Sequence, residues 1–133
     1  MPEVVCEFLD LPRFRQEAEY VFGVLEEQPD DVLELQWAFG TDPESYEPCR
    51  VSALEIRKFI VDAAEHGVYE WGWADVFIRR LDDDLQIRLC HETDIHIQTN
   101  KESWIKHFTD RWLDVGITWW RKDTNESEWV KFP

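Results

Sequence analysis

Residues 69–97 read YEWGWADVFIRRLDDDLQIRLCHETDIHI, and the fold turns on whether this stretch is helix or sheet. Apolar residues alternate through Leu85-Gln86-Ile87-Arg88 and again through Ile95-His96-Ile97, a period of two that belongs to strands with one buried face. Asp82-Asp83-Asp84 separates residues 69–81 from the next run, so an antiparallel ribbon of two or three strands is predicted. On that reading Tyr69, Trp71, Trp73 and Phe77 share one face of one strand. Gly72 lies between the two tryptophans, where a neighbouring ring or backbone can approach.

Helical periods lie on either side. Downstream, Trp104, Ile105, Phe108 and Trp112 fall on one stripe of a helix beginning near Asn100, with Lys106 and Asp110 spaced i, i+4 and Gly116 as its stop. A strand over 117–122 and a short tail strand over 129–132 follow. Upstream, Ser52 and Glu55 have the spacing of a capping box and Gly67 supplies a stop, which brackets Ile56, Phe59, Ile60 and Ala63 in a helix over 53–66. Residues 32–39 read as a strand. Before them, Phe14, Ala18, Val21, Phe22 and Leu25 follow Asp10-Leu11-Pro12, an N-cap with proline in the first turn, so a helix over 11–27 is predicted. Its rival is a hairpin, because Gln28-Pro29-Asp30-Asp31 also suits a turn between strands at 20–27 and 32–39. The sum is a single α+β domain over residues 1–133, with two or three helices packed on one face of a mainly antiparallel sheet of about four to six strands.

Composition narrows the function. The 133 residues are 44% apolar, with eight Trp and eight Phe, which is enough for an aromatic core without staples. Net charge is -15, and residues 16–49 hold ten carboxylates with no Lys, Arg or His. A field of one sign repels phosphate backbones and anionic lipid surfaces, so neither nucleic acid nor membrane is an expected partner. There is no basic, then apolar leader at the N-terminus and no run long enough to span a bilayer, which makes the cytoplasm the expected location. Cys6, Cys49 and Cys90 are odd in number and widely spaced, as reduced thiols are.

The densest set of donor side chains is Cys90-His91-Glu92-Thr93-Asp94-Ile95-His96. His91 and His96 are five apart, which fails the i, i+4 requirement of a helical zinc motif and puts them on opposite faces of a strand. Two routes to a metal remain open: a turn within 91–94 that folds His91 back toward His96, with Glu92 and Asp94 contributing, or Cys90, Glu92, Asp94 and His96 acting from one face. The competing reading is a polar outer face with a tight turn, and no cofactor is expected. Cys90 and His91, as strand neighbours, are not expected to form a catalytic pair. His107 reads as helix surface, His66 as a C-terminal cap, and five glycines without a phosphate-loop pattern disfavour nucleotide chemistry.

Two functional readings follow. In the first, the chain is a small acidic protein that binds a basic protein partner, as an inhibitor, an immunity-type protein or an escort. Clustered carboxylates steer association and aromatic side chains anchor it. Its contact residues are Glu26, Glu27, Asp30, Asp31 and Glu34, with Asp42, Glu44, Tyr46 and Glu47 from an acidic loop, and Trp71, Trp73, Trp119 and Trp120 form a possible aromatic platform. Trp119 and Trp120 must point to opposite faces of any strand that holds both. In the second reading, the donor cluster or a Trp-lined pocket serves an enzyme or a small-ligand binder for metal or carbohydrate. The first is preferred, because the acidity and the histidine-rich segment lie in different halves of the sequence.

Overall fold

The computed structural model describes residues 1–38, 47–81 and 83–133. Three helices, α1 (Leu11–Glu26), α2 (Ile56–Glu65) and α3 (Glu102–Asp114), accompany eight strands. The strands are β1 (Glu3–Cys6), β2 (Val32–Ala38), β3 (Cys49–Ser52), β4 (Asp75–Arg80), β5 (Leu85–Leu89), β6 (Ile95–Thr99), β7 (Trp119–Lys122) and β8 (Val130–Phe132). They form one sheet in the order β3-β2-β4-β5-β6-β1-β7-β8, and every neighbouring pair is antiparallel.

The α+β class agrees with the sequence reading, but the sheet has eight strands rather than four to six. The two strands missed, β1 and β3, are four residues each. Such a strand offers only two inward positions, too few for a period to register. Even so, β1 is central: Val4 pairs with Ile97 of β6 on one side and Arg121 of β7 on the other, so the N-terminus closes the sheet.

Register sorts the side chains. Leu35, Ile78, Ile87, Ile97 and Val4 lie in line across successive strands and are all buried. Against this face pack Phe14, Ala18, Val21, Phe22 and Leu25 of α1, Ile56 and Ile60 of α2, and Ile105, Phe108 and Trp112 of α3. Truncating a fully buried aromatic such as Trp112 to alanine removes about 3–5 kcal/mol. No described helix packs on the opposite face, whose side chains are mostly polar.

Local chemistry explains the boundaries. Asp10 caps α1, its Oδ1 accepting from the Arg13 N–H at 2.9 Å, which settles residues 11–26 as helix and not hairpin. The Ser52 cap does not form: Ser52 is the last residue of β3, paired with Val32, and residues Ala53–Glu55 make a 3-10 turn before α2 begins at Ile56. Gly67 ends α2 as expected, with φ +75° and the N–H groups of Val68 and Tyr69 both donating to the Ala63 carbonyl.

Residues 69–81 are not one strand. The N–H groups of Trp73 and Ala74 both donate to the Glu70 carbonyl at 3.1 Å, Gly72 has φ +78°, and the ladder starts only at Asp75. A left-handed residue at 72 ends the alternation, so Tyr69, Trp71, Trp73 and Phe77 do not share a face. Tyr69 is buried in the core, Trp73 is 75% exposed, and Phe77 lies on the helix-free face of the sheet.

Candidate functional site

The turn after α1 holds the acidic residues together. Asp31 N–H donates to the Gln28 carbonyl at 3.1 Å, and the turn is pinned to the segment before α2: Ala53 N–H donates to the Asp31 carbonyl at 2.8 Å, and Leu54 N–H to the Pro29 carbonyl at 3.2 Å. These backbone bonds set Asp30 beside Leu54 and Glu55. Leu54 is 65% exposed, and Val32 is also exposed. Glu27, Asp30 and Glu55 are exposed and make no ion pair among the described residues. The result is a shoulder where two carboxylates without an ion pair among the described residues, Asp30 and Glu55, flank an aliphatic side chain held out in water, with Glu27 on the far side of the turn.

On its other flank the turn borders a cleft of about 350 Å³ lined by Val24, Glu27, Gln28, Asp31, Asp83 and Trp104, with Arg80 at its base. Trp104, at the start of α3, donates its indole N–H to Asp83 at 2.6 Å and lies under the Arg80 guanidinium at 5.6 Å from the ring centroid. Arg80 Nε donates to Asp31 at 2.8 Å. Lys101 pairs with Asp83. The cleft is therefore an indole wall framed by carboxylates, two of them already holding a base.

The other predicted contact residues separate. Glu26 holds Arg57 at 3.1 Å, and Arg57 also reaches Glu19 at 2.6 Å, so these acids fasten α1 to α2. Glu34 points to the helix-free face, where Arg79 is 3.5 Å away. Glu47 is exposed. Asp42, Glu44 and Tyr46 lie outside the described residues.

The four tryptophans of the predicted platform do not converge. Trp71 packs edge-on to Phe14 and Tyr69 with Arg15 over its ring, and Trp73 stands in water. Trp119 faces the helices and stacks on Phe132 at 5.5 Å, whereas Trp120 takes the opposite face beside Val5. Both rings are half-buried. Trp120 and Trp129 line an apolar cavity of about 340 Å³ with Val5, Cys6, Glu7, Phe8 and Asp94.

Chemistry on the helix-free face is of a different character. Arg50, Arg79, Arg88, Lys122 and Lys131 all lie on it by register, so this face of a strongly acidic protein carries a large share of its bases. A polar chain crosses it: Arg79 Nε donates to Gln86 at 2.9 Å, Gln86 to Gln98 at 3.0 Å, and Gln98 to Glu3 at 3.0 Å. Arg79 and Arg88 lie at 5.7 and 5.4 Å from the Phe77 ring.

The 90–96 segment closes as a turn, with Thr93 N–H donating to the Cys90 carbonyl at 3.1 Å, Cys90 N–H to the Asp94 carbonyl at 3.0 Å, and Thr93 at φ +63°. The turn does not carry His91 to His96. It sends His91 to Asp75, whose Oδ1 takes the backbone N–H at 2.6 Å and faces Nδ1 at 2.9 Å, while Oδ2 accepts from Arg88 at 2.8 Å. Glu92 projects into solvent, with one oxygen 3.6 Å from His91 Nε2. Cys90, Asp94 and His96 do meet: their donor atoms lie within 4.8 Å of one another. His96 stands between two carboxylates, Nδ1 at 3.3 Å from Glu3 and Nε2 at 3.3 Å from Asp94. Burial disfavours its charged form, but hydrogen bonds to Asp94, Cys90 and Glu3 outweigh that and push its pKa up to about 11.

Neighbouring strand positions were expected to keep Cys90 and His91 apart. The turn instead brings Cys90 Sγ to 3.7 Å from His91 Nδ1. The nitrogen that faces the thiol lies closer to Asp75, at 2.9 Å, so the carboxylate competes with the thiol for the nitrogen that a relay would use as its base. Burial also pushes the Cys90 thiol above its ordinary value, away from thiolate.

No protein-family model, curated protein or solved structure matches the chain. What is defined is a class: a three-helix α+β protein with an acidic, aliphatic-tipped shoulder at one end and a donor cluster at the β5–β6 turn. No described helix is long and apolar enough to cross a membrane. Leu54, Asp83 and Trp104 were missed as site residues. Trp104 falls on the inner stripe of its helix, which reads as core, and Leu54 lies off the apolar stripe of the helix predicted over 53–66, where nothing in the sequence marks it. Asp83 read only as turn.

Proposed function

We propose that the chain is a binding protein that captures a basic macromolecular partner, in the manner of an inhibitor, an immunity-type protein or an escort. The observation that supports this reading best is the shoulder itself, where the exposed Leu54 lies beside Asp30 and Glu55 and Glu27 stands on the cleft flank of the same turn, all three without an ion pair among the described residues. Such acids steer a cationic surface toward the site, and an aliphatic tip gives the contact a desolvated centre. The adjoining cleft adds a place for an inserted Lys or Arg side chain, with Trp104 as its flat wall and Glu27 and Asp83 at its rim.

The arrangement favours recognition over turnover. Asp31 and Asp83 are committed to Arg80 and Lys101, so these carboxylates of the cleft act as fixed charge. The test is capture from lysate of the source cells at low and high salt, run in parallel with wild-type protein and with Glu27→Lys and Leu54→Asp variants. The reading expects a basic protein retained by the wild type at low ionic strength, released by salt, and lost from both variants. If nothing basic is retained, or if the variants retain it equally, the shoulder is not a recognition surface.

A further inference from the structure

We propose that Cys90, Asp94 and His96 form a binding site for a zinc ion, with Glu3 as the residue that orients His96. The β5–β6 turn puts all three side chains on the helix-free face, and their donor atoms lie within 4.8 Å of one another. A thiolate, an imidazole nitrogen and a carboxylate oxygen are the mixed donor set that zinc takes, whereas magnesium and calcium prefer oxygen alone. Three protein ligands leave one position of a tetrahedral ion for water.

The surroundings are those of a built site. Cys90 is 3% exposed and Asp94 5%, so the donors are held out of bulk water before any ion arrives. Asp94 Oδ1 is buried without a hydrogen-bond partner, while Oδ2 faces His96 Nε2 at 3.3 Å. A buried carboxylate oxygen left without a donor is an unmet acceptor, which a bound cation satisfies. Behind the histidine, Glu3 Oε2 faces Nδ1 at 3.3 Å, and Gln98 steadies Glu3 through its other oxygen at 3.0 Å. That is the carboxylate–histidine–metal relay by which many metal sites fix the ring and its tautomer.

A second donor group, Asp75, Cys90 and His91, shares the same thiol. It is the poorer site, because both oxygens of Asp75 are already taken up, by the Arg88 guanidinium and the backbone N–H of His91. Loading the 90/94/96 site replaces the thiol proton of Cys90 and the Nε2 proton of His96, both of which leave to solvent.

The test uses the full chain, stripped with chelator and titrated with Co²⁺ as a spectroscopic stand-in and then with Zn²⁺ in competition. The wild type is expected to bind one equivalent with a thiolate-to-cobalt charge-transfer band that zinc abolishes. Cys90→Ser removes the band. Glu3→Gln, which keeps all three ligands, weakens binding by about 10- to 100-fold, and His91→Gln leaves it unchanged. Absence of a saturable one-to-one band in the wild type overturns the proposal without reference to any variant. So does a band that survives His96→Gln but disappears with His91→Gln, which would assign the ion to the Asp75 side.

Discussion

Arg80 turns its side chain to the helix-covered face of β4 and gives its Nε–H to Asp31 at 2.8 Å, so that a residue of the acidic turn is bound to a guanidinium buried beneath it. Asp31 was expected to meet a partner from outside. Its first duty is inside, and the turn owes its position to that bond as much as to its backbone contacts.

Removing the carboxylate strands the guanidinium. Because Arg80 is buried while Asp31 is partly open to water, Asp31→Ala should cost about 2–4 kcal/mol. Urea denaturation measures this directly. Replacing Arg80 with Met in the same chain should recover a good part of the loss, since no charge is then left without its partner; failure to recover would mean that Asp31 stabilises the turn by another route.

Glu17 is 2% exposed, and both its oxygens accept from Arg111, at 3.1 and 2.9 Å; the guanidinium also lies 4.7 Å from the Tyr20 ring. This fork joins α1 to α3. Glu17→Gln retains the shape and removes the charge, and a loss of about 2–3 kcal/mol is expected. Chemical unfolding of the two proteins side by side decides it, and a change under 0.5 kcal/mol, the range usual for a surface substitution, would refute the role of the pair.

Gly72 has φ +78°, and a Cβ there would meet Thr93 Cγ2 at 3.2 Å and Leu11 Cδ1 at 3.4 Å. Gly72→Ala therefore carries both backbone strain and crowding, together about 1–3 kcal/mol. Its thermal midpoint should fall, while Gly23→Ala, which has ordinary φ and open space, should hold or raise it.

Metal-free protein should lose stability on both sides of neutrality through the His96 cluster. Burial alone would raise the Glu3 and Asp94 carboxyls, but His96 outweighs it and holds them below their ordinary 4.5 and 3.8. Their contribution is present above those values and is lost as pH falls through the lowered ones. His96 works in the other direction. Its folded value of about 11 lies above the ordinary 6.5, so its contribution is complete below 6.5 and is lost as pH rises toward 11. Melting curves across that alkaline window, recorded in chelator, should slope downward for the wild type and less so for His96→Gln. Parallel slopes would show that the imidazolium contributes nothing.

Much of this architecture was legible from residue order because it depends on neighbours along the chain. The period of Phe14, Ala18, Val21, Phe22 and Leu25 and the Asp10 cap mark α1. The alternation of Leu85, Ile87 and Ile97 marks the middle of the sheet, and Gly67 marks the end of α2. These are signals that a helix or strand carries in its own sequence. The errors arose where the deciding partner is remote. Ser52 has the spacing of a cap but is held in β3 by Val32. Residues 69–74 alternate like a strand but are bent by Gly72 against Thr93 and Leu11.

Charge divides in the same way. Sequence alone determined that the chain is acidic, that its acids gather in residues 16–49, and that Trp119 and Trp120 point apart, since these follow from composition and from the period of a strand. Only the tertiary structure decided which acids are spent and which are left. Arg57, Arg79 and Arg80 come from other elements to hold Glu26, Glu34 and Asp31, whereas Glu27 and Asp30 make no ion pair among the described residues, and Leu54 beside Asp30 is exposed in a way that no local pattern reveals. An ion pair acts over a few ångströms of space whatever the separation along the chain, so its members are identified only once the strands have found their order.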